Sequence, residues 1–201
     1  MKRLAVIIPM NQVDCNEIGE ISLHRAVSLL EEYDLFAIKP PSFDAAITRQ
    51  YEGKLTVLDF NEQYFGSQKA HNKLLMCREL YATFEEYEYI LIYHMDAFMF
   101  ENRLEYFMNL GYDYIGAPWN ANRFALKGHY INVGNGGFSL RKTRSFLNKL
   151  EFWEKLHIET GYNEDVCIAF LGALGYINVA PVQVAREFSV EDGIYMTYSR
   201  N

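Results

Sequence analysis

The chain is 201 residues long, half of them hydrophobic, with a formal net charge of −7. That length suits one domain with a core that needs no covalent or metal staple, and the negative balance leaves no basic stripe with which to grip a nucleic acid. Cys15, Cys77 and Cys167 stand far apart without CxxC spacing, which excludes a disulfide framework and a zinc motif and fits a reducing cytosol.

Leu4 to Ile8 is an unbroken apolar run ending at Pro9. Continuous rather than alternating hydrophobicity marks a strand covered on both faces, so the chain opens with a central parallel strand. The run is too short for a signal segment and no other window reaches membrane-span length; the expectation is a soluble cytoplasmic protein, with peripheral attachment at the inner membrane face left open. Ser22 is positioned to cap a helix in which Leu23, Ala26, Val27 and Leu30 recur at helical spacing. Asp34 to Lys39 reads as a second strand closed by Pro40-Pro41, and Lys54 to Asp59 as a third, with room for a short helix between them. Ser67 caps a longer helix whose apolar stripe is Ala70, Leu74, Cys77, Tyr81 and Phe84, with Lys69, Asn72 and Lys73 off the stripe. Glu88 to Tyr93 forms a fourth buried strand that stops abruptly at His94-Met95-Asp96.

Beyond Asp96 the rhythm loosens. A helix around Arg103 to Leu110, a short strand from Tyr112 to Ala117, an irregular stretch to Val133 and a strand from Gly137 to Arg141 follow in turn. Phe146, Leu147, Leu150 and Trp153 mark a further helix, Val166 to Leu174 a last one stopped by Gly175, and Tyr176 to Val179 a closing strand. The pattern is an α/β chain with a Rossmann-like, mainly parallel central sheet flanked by helices and an irregular C-terminal half.

Several segments have the composition for chemistry. In open α/β sheets ligands bind beyond the strand C-termini, so His94 and Asp96, two apart in an extended segment, could face a divalent metal or a ribose; equally, Asp96 could cap the next helix and His94 be a satisfied core group. Gly134-Asn135-Gly136-Gly137 permits close backbone approach to a ligand or positive φ, or else forms a tight turn into a strand; its spacing matches neither a dinucleotide fingerprint nor a P-loop. Trp119 beside Asn120 suits a sugar, or a core position with its indole N–H satisfied. Asn163-Glu164-Asp165 opens a helix, where carboxylates either serve the helix terminus or provide a general base. His24, His71, His129 and His157 show no paired ligand spacing and read as surface or structural.

Taken in order, these segments resemble glycosyltransferases of the GT-A fold. The nearest pattern is that of glycosyltransferase-like domains with a strand ending near "QTDS", then "YIGAPW", "GNGGxSLR" and "ED". Here those stretches are Tyr93 to Ala97, Tyr114 to Trp119, Gly134 to Arg141 and Glu164-Asp165, within a span from about residue 4 to 191. The resemblance implies one GT-A-like domain over residues 1–201, with a nucleotide-binding half at 1–96 and a donor-sugar and acceptor half at 97–201. It implies a hexosyltransferase-like enzyme whose nucleotide-sugar donor crosses the C-terminal edge of the first strands, near Pro9, and is bordered by Asn72 and Lys73. His94, Asp96, Trp119, Asn135, Gly136 and Gly137 would complete the donor contacts. Asp96 matches the metal-binding Asp of the DxD motif, which implies Mn²⁺ or Mg²⁺. Glu164 and Asp165 match the acidic pair facing a glycan or glycoconjugate acceptor, with Asp165 the base if the reaction inverts configuration; retention and inversion both stay open. His94 stands where DxD has its first Asp, and no His follows His157, so either a late histidine ligand is absent or the sequence is part of a longer protein. Two competing readings are a catalytically degenerate domain that binds nucleotide sugars or glycans, and a glycoside hydrolase using Asp96 and Asp165 as a carboxylate pair.

Overall fold

A computed structural model describes residues 1–11, 15–119, 124–126, 129–149, 152 and 161–191. The strands are β1 (Lys2–Pro9), β2 (Asp34–Lys39), β3 (Leu55–Asp59), β4 (Tyr87–Tyr93), β5 (Tyr114–Pro118), β6 (Phe124–Leu126), β7 (His129–Ile131) and β8 (Val133–Lys142). The α-helices are α1 (Glu17–Leu29), α2 (Gln68–Met76), α3 (Arg78–Thr83), α4 (Leu104–Asn109), α5 (Thr143–Leu147), α6 (Glu164–Ala173) and α7 (Val182–Phe188). Six strands make one sheet in the order β3-β2-β1-β4-β8-β5. The pairings among β3, β2, β1 and β4 are parallel, and β8 runs antiparallel between β4 and β5.

The unbroken apolar strands lie between two cores. On β1, Leu4, Val6 and Ile8 join Leu23, Ala26 and Val27 of α1 and Leu104 of α4, while Ala5 and Ile7 face Leu74, Leu80 and Tyr81 of α2 and α3. Strand β4 divides the same way, Leu91 to the first core and Ile90 and Ile92 to the second. Each strand side chain therefore leaves water, which is why these runs do not alternate with polar residues.

The elements expected around β1 to β4 are present, with the short helix between β2 and β3 realised as a 3-10 segment at Ala46–Tyr51. Four details differ. Asn16, not Ser22, caps α1, its Oδ1 accepting from Gly19 N at 3.1 Å; Ser22 lies buried inside the helix and donates to the Ala97 carbonyl at 2.6 Å. The helix capped by Ser67 is broken at Cys77, whose ψ of 148° separates α2 from α3. Strand β8 begins at Val133 rather than Gly137, and the stretch before it carries the β6-β7 hairpin. The closing strand reduces to one parallel bridge, Val179 to Tyr114, made by Tyr114 N donating to Asn178 O at 3.3 Å and Ala180 N to Tyr114 O at 2.9 Å. Gly175 does stop α6: at φ 76° it donates to Gly172 O while Tyr176 N reaches Leu171 O, a Schellman closure. Asn120, Leu150, Trp153 and His157 lie outside the described residues.

Gly134 shows how tightly β8 packs. A Cβ there would lie 2.2 Å from Cη2 of buried Trp119, and overpacking of this kind costs about 1–3 kcal/mol. Gly134→Ala is thus expected to lower stability by that amount in urea denaturation. Combined with Trp119→Phe, its cost should shrink by about 1 kcal/mol; strict additivity would show that the two positions do not share space.

Candidate active site

A cleft of about 780 Å³ opens beyond the C-terminal end of β4, bounded by α2, the glycine segment of β8, the start of α6 and residues 186–191. Of the residues singled out in the sequence it gathers Asn72, His94, Asp96, Asn135, Gly136, Gly137, Glu164 and Asp165. Pro9, Lys73 and Trp119 do not line it. Pro9 is buried as the last residue of β1 and sits opposite Ile38. Lys73 is exposed on α2 away from the lining, and Trp119 packs with Val166 and Ala169 over Gly134.

The chain does not leave β4 extended. Ala97 N donates to His94 O at 2.9 Å, closing a turn that points Asp96 into the open cleft and His94 back into the protein. Asp96 caps no helix, since α4 begins beyond it with Asn102 Oδ1 accepting from Leu104 N at 3.1 Å. His94 N donates to Gly137 O at 2.9 Å, and its ring meets His71 from α2 with the two Nε2 atoms 2.7 Å apart. One imidazole must donate and the other accept at that distance. Burial and then the Arg141 charge push His71 down to about 4, against an opposing pull from Asp96. Burial, His71 and Arg141 hold His94 well below its ordinary value. Both rings are therefore neutral near pH 7, and the pair fastens α2 to the end of β4.

The glycines of β8 belong to a bulge rather than a turn. Pairing with β5 jumps from Gly116↔Ser139 to Ala117↔Asn135, which frees Gly136 to Phe138 from that partner. Gly134, Gly136 and Gly137 do not adopt positive φ; the absent side chain is what matters. A Cβ on Gly136 would lie 1.8 Å from Glu164 Oε1, and one on Gly137 2.8 Å from His94 Nδ1. The bulge thus brings bare backbone up to two site side chains.

Arg141 has no exposed surface. It donates to Glu164 Oε1 at 2.8 Å, to Tyr81 OH at 3.0 Å, to Ser139 Oγ at 2.9 Å, and to the carbonyls of Gly136 and Leu75, each at 3.3 Å. Burial works against its charge, but Tyr81, Glu164 and Tyr114 outweigh it and hold the guanidinium above its ordinary pKa. Glu164 is consumed by this pair, which answers the sequence ambiguity in part: it serves Arg141 rather than the helix terminus. Asn163, the N-cap residue of α6, likewise looks outward, its Oδ1 accepting from Asn72 Nδ2 at 2.9 Å. Asp165 is half-buried, and burial, reinforced by the charge of Glu164, raises its carboxyl to about 6 despite the Val166 N–H at 2.7 Å and the distant help of Arg141.

Among the described residues no group of three or more His, Cys, Asp or Glu side chains gathers as a metal cage. At the end of β4 the cleft instead presents the exposed carboxylate of Asp96, with Glu101, Glu187 and Glu191 farther along its lining, while the facing nitrogens of His71 and His94 are occupied with each other. That donor set fits a hard cation that completes its shell with phosphate oxygens and water, the common mode for Mg²⁺. His71 was not identified as a site residue from the sequence, because its partner lies 23 residues away and no spacing rule joins them. Arg141 carried a signal that could have been used: a cation inside an apolar strand must find an anion, and the acidic pair at Glu164-Asp165 was the available one.

No curated protein sequence matches the chain. Among solved structures it is similar to the galactosyltransferase LgtC in complex with donor and acceptor sugar analogues, at 12% identity and TM-score 0.60, over 96% of this chain and 81% of that one. It is similar to the glycosyltransferase GlyE of Streptococcus pneumoniae at 13% identity and TM-score 0.58, over 92% and 46%. It is also similar to the mannosyltransferase PcManGT of Pyrobaculum calidifontis, in complex with GDP-Man and Mn²⁺, at 13% and 0.54, over 90% and 55%. The chain spans about half the length of the last two. Identities this low speak to fold alone, and the fold is that of the GT-A glycosyltransferases. Among the described residues no helix is long and apolar enough to cross a membrane. A family profile matches residues 54–201, and the chain belongs to that family, DUF5672, whose description is "protein of unknown function".

Proposed function

We propose that the protein is a glycosyltransferase that moves a sugar from a nucleotide-sugar donor to a hydroxyl of a glycan or glycoconjugate, with residues 1–96 holding the nucleotide and residues 97–201 the donor sugar and acceptor. The observation that carries this reading is that one cleft of a GT-A fold receives an exposed Asp96 from the end of β4 and a half-buried Asp165 from the start of α6. Asp96 would hold Mn²⁺ or Mg²⁺ together with the donor diphosphate, and the bound ion would stabilise the charge that develops on the leaving phosphate. Asp165 removes the proton of the acceptor hydroxyl; a carboxyl raised to about 6 combines ionisation at neutral pH with greater basicity than an ordinary aspartate. Glu164 stays on Arg141 and keeps Asp165 in place. Asn72 borders the nucleotide and its phosphates, and Asn135 and the Gly136-Gly137 bulge border the donor sugar, whereas Pro9, Lys73 and Trp119, outside the lining, drop out of the proposed contacts. A second reading, a binding domain without catalysis, draws on His94: where a DxD carboxylate would stand, a neutral ring is turned onto His71.

These readings separate by experiment. Thermal shift with UDP-, GDP-, CMP- and dTDP-sugars, each with Mn²⁺ and with EDTA, should give a metal-dependent rise with one nucleotide class, since ligand at about 100 Kd adds about 2.7 kcal/mol. Asp96→Asn should remove the metal-dependent part; an undiminished shift would end the metal assignment. Donor binding with neither metal-dependent hydrolysis nor transfer to any acceptor would favour the binding-domain reading.

Asp165→Asn should leave donor binding intact and lower transfer by about 10²–10⁴-fold, and wild-type transfer should rise with pH through about 6 as this carboxyl ionises. The folded pKa lies above the ordinary 3.8, so the stability tied to the protonated form is lost between pH 4 and 6. Asp165→Asn should accordingly raise the melting temperature at pH 7.5 but not at pH 4, and a loss of stability at pH 7.5 would contradict this environment. Glu164→Gln should behave oppositely, destabilising by about 3–5 kcal/mol because the Arg141 charge is left uncompensated; equal urea midpoints for wild type and variant would refute the buried pair.

A further inference from the structure

The segment following Asp96 exposes what a folding chain would ordinarily bury. Phe100 is 80% exposed and Phe98 49%, while their neighbours Met95 and Met99 are buried in the core at 3% and 6%. The two phenyl rings meet edge to face with centroids 5.2 Å apart, and both line the cleft that holds Asp96 and Asp165. Exposed aromatic surface of this kind marks an interaction site when its backbone is fixed. It is fixed: Ser22 Oγ of α1 donates to Ala97 O at 2.6 Å, Arg25 Nε to Met99 O at 2.7 Å, and Arg25 Nη2 to Phe100 O. The Arg25 guanidinium also lies 5.8 Å from the Phe98 ring centroid. Burial of Met95 and Met99 together with these bonds holds both rings outward, ready-formed.

The surroundings identify the class of ligand. Glu101, next to Phe100, lines the same cleft with Asp96, Glu187 and Glu191, and Arg103 on this rim is engaged by Glu101 and Glu187. An anionic lipid surface needs an unopposed basic cluster; among the described residues the cleft carries only Arg103 and Arg186 as cations, against the carboxylates of Asp96, Glu101, Glu187 and Glu191. A neutral sugar suits it: its C–H face meets the negative face of a phenyl ring, and its hydroxyls donate to carboxylates. The geometry points to Phe98 and Phe100 as the platform on which the acceptor's terminal sugar stacks, a proposal that rests on the transferase reading and assigns its acceptor subsite.

The test is saturation-transfer NMR with the methyl glycosides of glucose, galactose, mannose and N-acetylglucosamine, on wild type and on the double variant Phe98→Ser, Phe100→Ser. Both side chains are exposed, so the variant should melt with wild type. At least one glycoside should bind through its ring-face protons, about tenfold more weakly in the variant, with the nucleotide-sugar thermal shift unchanged. The proposal is overturned if the glycoside binds both proteins alike, or if wild type binds a nucleotide sugar but no glycoside of the panel. It is also overturned if the variant loses nucleotide-sugar affinity or binding to phosphatidylcholine vesicles instead, which would make the platform a nucleobase or lipid contact. Glycoside binding that depends on both rings in a protein that binds no nucleotide sugar would keep the platform and remove the transferase reading, and binding of neither ligand class would remove both.

Discussion

A guanidinium sealed from water is the constraint around which the site is built. Arg141 can remain charged and buried only if its donors are satisfied and an anion neutralises it. Its partners come from four places: Glu164 at the first turn of α6, Gly136 in the bulge, Ser139 on its own strand, and Leu75 and Tyr81 on either side of the break between α2 and α3. The Leu75 carbonyl is one that the interruption at Cys77 releases from helical bonding, and the Tyr81 hydroxyl takes it as well, at 2.8 Å. The helix break, the bulge and the first turn of α6 therefore have one common partner, and a shift in any of them leaves a buried charge or a carbonyl unsatisfied.

That arrangement explains what sequence patterns could and could not convey. Strands β1, β2 and β4 and the apolar face of α1 were legible because burial on two faces, or on one helical stripe, leaves a periodic signature in the chain itself. The break at Cys77 was not, since the stripe from Leu74 to Phe84 keeps helical spacing across it and the bonds that compensate the interruption come from Arg141, far along the chain. Ser22 misled for a related reason: its hydroxyl has the right chemistry for a cap but is used on the Ala97 carbonyl, a contact 75 residues distant. The glycine segment was legible as a place of close approach, yet what approaches Gly134, Gly136 and Gly137 is Trp119, Glu164 and His94, so its function is first to let the protein touch itself.

The two aspartates of the cleft illustrate how position sets chemistry. Asp96 leaves the sheet on a two-residue turn with water on its open side, the setting for an ion that brings its own oxygen ligands. Asp165 sits half under cover with the charge of Glu164 beside it, and the same carboxyl group becomes a stronger base. Sequence order alone cannot make this distinction, because it depends on which neighbour each carboxylate meets after folding. Glu164 shows the other side of that dependence: adjacent to Asp165 in the chain and also on the cleft wall, it is buried and its Oε1 is taken by Arg141.

The floor and the rim of the cleft then answer to different forces. The floor is a hydrogen-bonded network around Arg141 inside a close-packed sheet, so single changes there are felt through several elements at once. The rim from Ala97 to Arg103 is attached to α1 mainly through its backbone carbonyls, by Ser22 and Arg25, so its outward side chains can vary without disturbing what holds the loop. A fold so divided can keep its architecture at identities near 12% while the groups that meet a ligand change. His94 illustrates how such a group is accommodated at the end of β4, because His71 supplies the hydrogen bond that its ring requires. Function accordingly has to be argued from the cleft and its rim, where the chain is free to differ, rather than from the sheet beneath them.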